Sequence, residues 1–149
     1  MNIRVEVIPF IVAAAVFGAA VAVVCRLCGV PLQRAVIAGI VPAGVFTGYF
    51  LYFFRDPERI APADETLIVA GADGVVARIM DFREEKDLKT DTVRVSIFLS
   101  LFDVHVNRAP ISGKSSFLGY FKGKHFFTFV EKSSDYNQHN AILIEGKTR

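Results

Sequence analysis

The chain has 149 residues, of which 52% are hydrophobic and 21% charged, and its formal net charge is +2. This length allows one domain and a small appendage, and two cysteines are too few for a disulfide framework. The hydrophobic content excludes a disordered chain, and the small net charge argues against a nucleic-acid partner. A soluble domain of this size needs more polar surface, so part of the chain is expected to lie in a bilayer.

Two long uncharged runs open the chain, residues 7–25 and 35–54, with 19 and 20 residues. Each run is long enough to span a hydrocarbon core of about 30 Å as a helix. Both runs are rich in Ala and Gly, which allows two helix backbones to approach closely, and the second run ends in aromatic residues typical of the membrane interface. Residues 1–54 are therefore predicted to form a transmembrane helical hairpin in the cell membrane, with its turn at residues 26–34.

Other interpretations of these runs remain open. A secretory signal is the rival for the first run, but the single basic residue before it, Arg4, is offset by Glu6, and a second run follows at once. A hairpin that dips into one leaflet is another alternative. The orientation is not determined, because positive charges at the ends of the two runs nearly balance.

Residues 55–149 have a different composition and are predicted to form a second domain of short strands. Alternation of apolar and polar residues is clearest from Val93 to Leu99, the period of two that is typical of a strand. The predicted strands are residues 67–70, 74–80, 92–101, 117–121, 126–131 and 141–145. The charged cluster at residues 83–89 is interpreted as a solvated loop. The predicted fold class is α+β, a helical hairpin followed by a mainly antiparallel β domain.

Reactive side chains are concentrated at residues 100–110, at the end of a predicted strand. His105 has Asp103, Asn107 and Arg108 within three residues, so hydrogen bonds can orient its ring for proton transfer. A structural histidine satisfied by these neighbours is the alternative.

A second candidate is Asp73, which stands before a glycine, although Asp-Gly is also an ordinary turn sequence. No metal site is expected, because His105, His125 and His139 are dispersed and lack ligand spacing. The sequence alone therefore leaves Asp73 and His105 as the candidate catalytic residues.

Five motifs occur in one order along the chain: Phe-Phe-Arg-Asp-Pro-Glu-Arg at residues 53–59, Gly-Ala-Asp-Gly at 71–74, Ser-Ile-Phe-Leu-Ser at 96–100, Asp-Val-His-Val-Asn-Arg-Ala-Pro at 103–110, and Asn-Gln-His-Asn at 137–140. In this combination, after a double hydrophobic segment, the chain resembles the short, membrane-bound form of phosphatidylserine decarboxylase.

The resemblance implies a proenzyme that cuts itself at a Gly-Ser bond near the C-terminus. The serine becomes a pyruvoyl group on a small subunit, and this cofactor accepts the electron pair that departing CO₂ leaves behind. The implied substrate is phosphatidylserine or an ether-linked archaeal analogue, drawn from the membrane. The implied protein partner is the small pyruvoyl subunit of the same proenzyme, and a homo-oligomer is left open.

The resemblance also implies roles for particular residues. Asp73 and His105 assist self-cleavage by activating the serine hydroxyl, and His105 also serves the proton step at the substrate carbon. Arg108 stands where larger bacterial relatives carry a second histidine. Asn137 and Asn140 order a loop near the site. Arg55 and Arg59 are expected to attract the lipid phosphate because they lie at the exit of the second hydrophobic run. The residues expected to bind substrate are Arg55, Arg59, Asn107, Arg108, Asn137 and Asn140.

The cleavage motif is missing from this sequence, since none of its eleven glycines is followed by serine. The chain is therefore expected to be the large-subunit part of a decarboxylase, incomplete without a C-terminal partner segment and inactive alone. A truncated chain, a separate subunit and a degenerate relative all fit this expectation. The alternative function is a non-catalytic, membrane-tethered β domain that binds lipid head groups or a partner protein.

Overall fold

The computed structural model describes residues 2–64, 67–126 and 136–146. Two long helices come first and β-hairpins follow, so the fold class is α+β as predicted. The described part forms two compact units, residues 1–59 with 99–106, and residues 60–98 with 107–149. The elements are β1 (Asn2–Ile3), α1 (Ile8–Leu27), α2 (Leu32–Phe53), β2 (Arg55–Asp56), β3 (Val75–Glu84), β4 (Thr90–Phe98), β5 (Gly113–Phe121) and β6 (His139–Gly146).

The helices α1 and α2 pack against each other at small residues. Gly18 and Gly39 are buried, and a Cβ atom added to Gly18 would lie 2.6 Å from the carbonyl oxygen of Gly39 and 2.7 Å from the Cβ of Ala43. The rings of Phe17 and Phe46 meet edge to face, 5.8 Å apart. The close helix approach predicted from the small residues is therefore present, and it depends on glycine at both positions.

The turn between the helices is shorter than the predicted one, because α1 continues to Leu27 and α2 begins at Leu32. Arg26 stabilises this tight connection by donating from Nη1 to the carbonyl oxygen of Val30 at 2.7 Å. Gly29 adopts a φ of +83°, in the left-handed region that favours glycine. The predicted turn at residues 26–34 thus shrinks to residues 28–31.

A short ribbon joins the two ends of the helical hairpin. β1 pairs antiparallel with β2, Asn2 opposite Asp56 and Ile3 opposite Arg55. The N–H of Arg4 donates to the carbonyl oxygen of Phe54 at 3.0 Å. The chain segments before α1 and after α2 therefore lie at the same end of the hairpin, a pairing that sequence reasoning did not predict.

The second unit is built on two antiparallel hairpins. In the first hairpin, β3 pairs with β4, and Val75 is opposite Phe98 at one end and Glu84 is opposite Thr90 at the other. In the second, β5 pairs with β6, and Gly113 is opposite Gly146 at one end and Phe121 is opposite His139 at the other. The register shifts once in each ladder, between residues 76 and 78 and between residues 117 and 119. Such shifts mark β-bulges, which bend a strand and increase its twist. The predicted antiparallel character of the β domain is confirmed for the described strands.

Three of the predicted strands differ from the structure in the residues that it describes. Residues 67–70 are irregular: Val69 donates its N–H to the carbonyl oxygen of Pro110 at 3.0 Å, but proline has no N–H with which to continue a ladder. The strand predicted at 92–101 ends at Phe98, and residues 99–106 belong to the first unit. In the strand predicted at 126–131, Phe126 is irregular and residues 127–131 lie outside the described residues.

The charged cluster at residues 83–89 forms the end of β3 and the following turn. The Glu84 carboxylate accepts the backbone N–H groups of Lys86, Asp87 and Leu88 at 2.9, 2.7 and 2.6 Å. These bonds favour the ionised carboxylate, and they lower the pKa of Glu84 to about 2. The loop predicted from charge alone is thus organised around one carboxylate.

This carboxylate makes the turn sensitive to acid. Folding depresses the pKa of Glu84 from its ordinary 4.5. The contribution of the ionised Glu84 carboxylate to the stability of the turn is therefore fully present above pH 4.5 and is lost as the pH falls toward 2. Hydrogen-exchange protection factors of the Lys86, Asp87 and Leu88 amides are expected to drop over this interval. At neutral pH, Glu84→Ala should lower them and Glu85→Ala should not. Equal protection in the two variants would refute this role of Glu84.

Candidate active site

Residues 100–103 form a tight turn just before His105. The carbonyl oxygen of Ser100 accepts the N–H of Asp103 at 3.0 Å, and Asp103 Oδ2 accepts the N–H of Ser100 at 2.7 Å. The bond from this N–H is the main reason why the pKa of Asp103 is lowered, and the Ser100 hydroxyl adds to it, with smaller contributions from His105 and Arg55. The carboxylate thus closes the turn.

The His105 ring is oriented by two contacts. Its Nδ1 lies 3.0 Å from the carbonyl oxygen of Asp103. A carbonyl only accepts hydrogen bonds, so we assign the proton to Nδ1 and the free lone pair to Nε2. The ring also stacks on Phe53, with centroids 4.1 Å apart and planes 26° apart. His105 is exposed, so its ring is accessible to a bound molecule.

The C-terminal end of α2 holds this turn in place. The Tyr49 hydroxyl donates to the carbonyl oxygen of Leu101 at 3.3 Å. Arg55 donates from Nη2 to the carbonyl oxygen of Phe102 at 2.8 Å and from Nη1 to that of Tyr52 at 2.9 Å. The aromatic group at the end of the second run, predicted to mark the membrane interface, therefore also positions the His105 segment.

Asp73 and Arg108 lie together in the second unit. Arg108 Nη1 is 3.7 Å from Asp73 Oδ2, and the N–H of Arg108 donates to the carbonyl oxygen of Gly71 at 2.8 Å. A Cβ atom on Gly71 would lie 2.9 Å from the carbonyl oxygen of Arg108, so the backbones approach closely here. The structure therefore places a carboxylate and a guanidinium side by side at two predicted site positions.

The Asn137 side chain binds the backbone of Phe126 on both sides. Its Oδ1 accepts the Phe126 N–H at 2.8 Å, and its Nδ2 donates to the Phe126 carbonyl oxygen at 2.9 Å. Asn140 lies in β6, opposite Tyr120 of β5. The loop-ordering role expected for Asn137 and Asn140 stays a prediction.

The predicted site residues are divided between the two units. Arg55, Arg59 and His105 belong to the first unit, and Arg55 and His105 contact the same turn. Arg59 donates to the carbonyl oxygen of Glu58 at 3.3 Å. The second unit contains Asp73, Asn107, Arg108, Asn137 and Asn140. Within residues 2–64, 67–126 and 136–146, no three His, Cys, Asp or Glu side chains form a group that would hold a metal ion.

Sequence comparison supplies the class of protein. Residues 46–148 match the family model described as phosphatidylserine decarboxylase. A relative from Carboxydothermus hydrogenoformans is 43% identical over 97 residues, which cover 65% of this chain and 46% of the relative. Relatives from Rickettsia akari and Rickettsia rickettsii (strain Sheila Smith) are 38% and 39% identical over 104 residues, covering 68% of this chain and 45% of each relative. All three are named phosphatidylserine decarboxylase proenzyme.

These matches define a decarboxylase class of enzyme, and they cover both the His105 and the Asp73 motifs. The chain belongs to the phosphatidylserine decarboxylase family. It spans about half the length of the curated relatives it matches. No solved structure matches the chain.

Proposed function

We propose that this chain is the large-subunit part of a pyruvoyl-dependent phospholipid decarboxylase that converts phosphatidylserine to phosphatidylethanolamine and CO₂. One observation carries the proposal: within the segment matched to the family, the exposed ring of His105 is held by its contacts with Asp103 and Phe53. A histidine held in this way suits a reaction that replaces a departing carboxylate with a proton.

The cofactor in this proposal comes from a serine that the present sequence does not contain. When bound, a pyruvoyl group supplies a carbonyl that accepts the electron pair of the breaking bond. The residues described here fit such a group in their chemistry, since His105 offers an oriented imidazole and Asp73 with Arg108 offers a carboxylate beside a guanidinium. This chain would thus contribute acid–base and binding groups.

Each site residue has a role in the proposal. His105 transfers the proton through Nε2, and Asp73 assists self-cleavage by activating the serine hydroxyl. Arg55 and Arg59 attract the lipid phosphate. The hydrogen bonds described for Arg55 use two of its five N–H groups, so it has donors left for a phosphate. The remaining residues proposed to contact or order the substrate are Asn107, Arg108, Asn137 and Asn140.

Residues 1–54 are proposed to anchor the enzyme in the cell membrane, with the β domain of residues 55–149 at its surface. Two helical segments are long and apolar enough to cross a bilayer: Val5–Leu27, which is α1 with the short 3₁₀ helix Val5–Val7 before it, and Leu32–Phe53, which is α2. Only 17% and 6% of their most apolar windows are buried within the described structure, whereas a core helix of a soluble protein is mostly buried. Lipid is the environment that covers such exposed apolar surface.

The direct test is release of labelled CO₂ from carboxyl-labelled phosphatidylserine. The purified 149-residue chain is expected to release none, because it cannot form the electron sink. A chimeric proenzyme, in which this chain is joined to the Gly-Ser segment of the Carboxydothermus hydrogenoformans relative, is expected to cut itself and release CO₂. The matched control replaces the serine of that segment with alanine.

Two results would contradict the proposal: CO₂ release by the chain alone, or no release by a chimera that has cut itself. The alternative function, a non-catalytic β domain that binds head groups or a partner, predicts the second result.

A further inference from the structure

The turn at residues 100–103 has an unusual tip. Its two central residues are Leu101 and Phe102, which are 65% and 66% exposed. The centres of turns usually carry small or polar residues, because turns face water. Two adjacent large apolar side chains at this position therefore indicate that the tip has an apolar environment in the working protein.

Most of the backbone polar groups of the same turn are already paired. The Ser100 N–H and carbonyl oxygen bond to Asp103, and the Phe102 N–H lies 3.4 Å from the Ser100 hydroxyl. The carbonyl oxygens of Leu101 and Phe102 accept from Tyr49 and Arg55. A turn satisfied in this way can leave water at low cost, because none of these groups loses a hydrogen bond when it does.

The place of the turn on the helical hairpin gives its depth. Tyr49 and Arg55, which hold the turn, lie within the last turn of α2 and just after it. A helix rises 1.5 Å per residue, so Tyr49 is only about 6 Å along the axis from the end of α2 at Phe53. When α2 spans a bilayer, its last turn lies at the interface, where Tyr and Arg side chains are favoured. The turn must then lie at the same depth.

We propose that the turn at residues 100–103 is a membrane-insertion loop, whose Leu101 and Phe102 side chains enter the interface of the bilayer that holds α1 and α2. The proposal rests on the proposed membrane anchor and adds a second lipid contact to it. His105 follows the tip by three residues and stacks on Phe53 of α2. Insertion of the tip would hold the His105 ring at the level of the lipid head groups, where a phospholipid substrate presents its carboxylate.

Fluorescence quenching tests the insertion directly. The sequence contains no tryptophan, so Phe102→Trp gives the 149-residue chain a single tryptophan, which can be excited selectively over its tyrosines. In phosphatidylcholine vesicles with brominated acyl chains, the emission of this tryptophan is expected to be blue-shifted by its apolar surroundings and mostly quenched by the bromine atoms. Phe46→Trp, deeper in α2, is the positive control. Leu88→Trp, in the charged turn after β3, is the negative control and is expected to keep its emission.

The controls separate the loop from the anchor. Quenching of Phe46→Trp without quenching of Phe102→Trp would overturn the insertion loop and leave the anchor standing. No quenching in either variant would overturn the anchor, and the loop with it. Quenching of Leu88→Trp as strong as that of Phe102→Trp would also overturn the proposal, because the contact would not be specific to the tip.

A second measurement asks whether lipid, rather than the rest of the proenzyme, covers the tip. The experiment compares CO₂ release from phosphatidylserine in vesicles with release from short-chain, water-soluble phosphatidylserine. In the chimeric proenzyme, the double change Leu101→Ser and Phe102→Ser is expected to lower the ratio of the first rate to the second several-fold. An equal loss with both substrates would mean that the tip packs against protein and would overturn the proposal. An unchanged ratio with full activity would overturn it as well.

Discussion

Replacing His105 with alanine in the chimeric proenzyme is expected to lower CO₂ release by about 10²–10⁴-fold, the usual contribution of a positioned acid–base group. The reason lies in the two contacts of the ring, the bond from Nδ1 to the Asp103 carbonyl and the stack on Phe53, which hold the ring in one orientation. The same variant is expected to slow self-cleavage, which gel electrophoresis measures separately from turnover.

His125→Ala is the matched control, since His125 is exposed and lies outside the turn that holds His105. Its effect on both processing and CO₂ release is expected to be mild. If His125→Ala abolished processing while His105→Ala left it intact, the assignment of His105 would be wrong.

Replacing Gly39 with leucine is expected to force the two apolar helices apart. Even a Cβ atom at this position would overlap the carbonyl oxygen of Gly18 and lie 3.0 Å from the Cβ of Ala22. Backbone atoms cannot rotate away as a side chain does, so the helices must shift. Overpacking of this kind costs about 1–3 kcal/mol or more.

Thiol cross-linking reports on this separation. Cysteines placed at Phe17 and Phe46, whose ring centroids are 5.8 Å apart, are expected to be joined readily by a short bifunctional thiol reagent in a chain without Cys25 and Cys28. Adding Gly39→Leu should greatly reduce the yield. Gly44→Leu is the control in the same helix, because no atom lies within 4 Å of a Cβ there. Equal yields in the two variants would show that Gly39 does not set the helix contact.

The helices and hairpins were predictable because their signals are local. An uncharged run of 19 or 20 residues indicates a long apolar helix without knowledge of its neighbours. Alternation likewise identified β4, but it cannot show where pairing stops. That limit is set by Val75, which is opposite Phe98 and begins the partner strand. The predicted strand therefore ran on to residue 101, into what is a turn in the other unit.

The reactive residues of the candidate site could partly be predicted from the sequence, whereas the hydrogen bonds that hold the turn before His105 could not. Asp103 and His105 are two residues apart, and their contact is a local one. Tyr49 and Arg55 are 52 and 47 residues from the carbonyl groups they bind. From the sequence, both residues were already accounted for as parts of a membrane interface, so nothing pointed to a contact with the turn. No spacing rule connects them with the turn.

The β1–β2 ribbon bears on how the protein is inserted during biosynthesis. It ties residues 2–3 to residues 55–56, so both flanks of the helical hairpin stay on one side of the proposed bilayer. If the hairpin inserts from the side of its paired flanks, the four-residue connection 28–31 and the adjoining Arg26 and Arg34 cross the bilayer. Arg26 is already bonded to the carbonyl oxygen of Val30, which partly offsets the cost of moving its charge. If residues 1–54 span the bilayer as proposed, the hairpin can therefore enter it as a single closed unit.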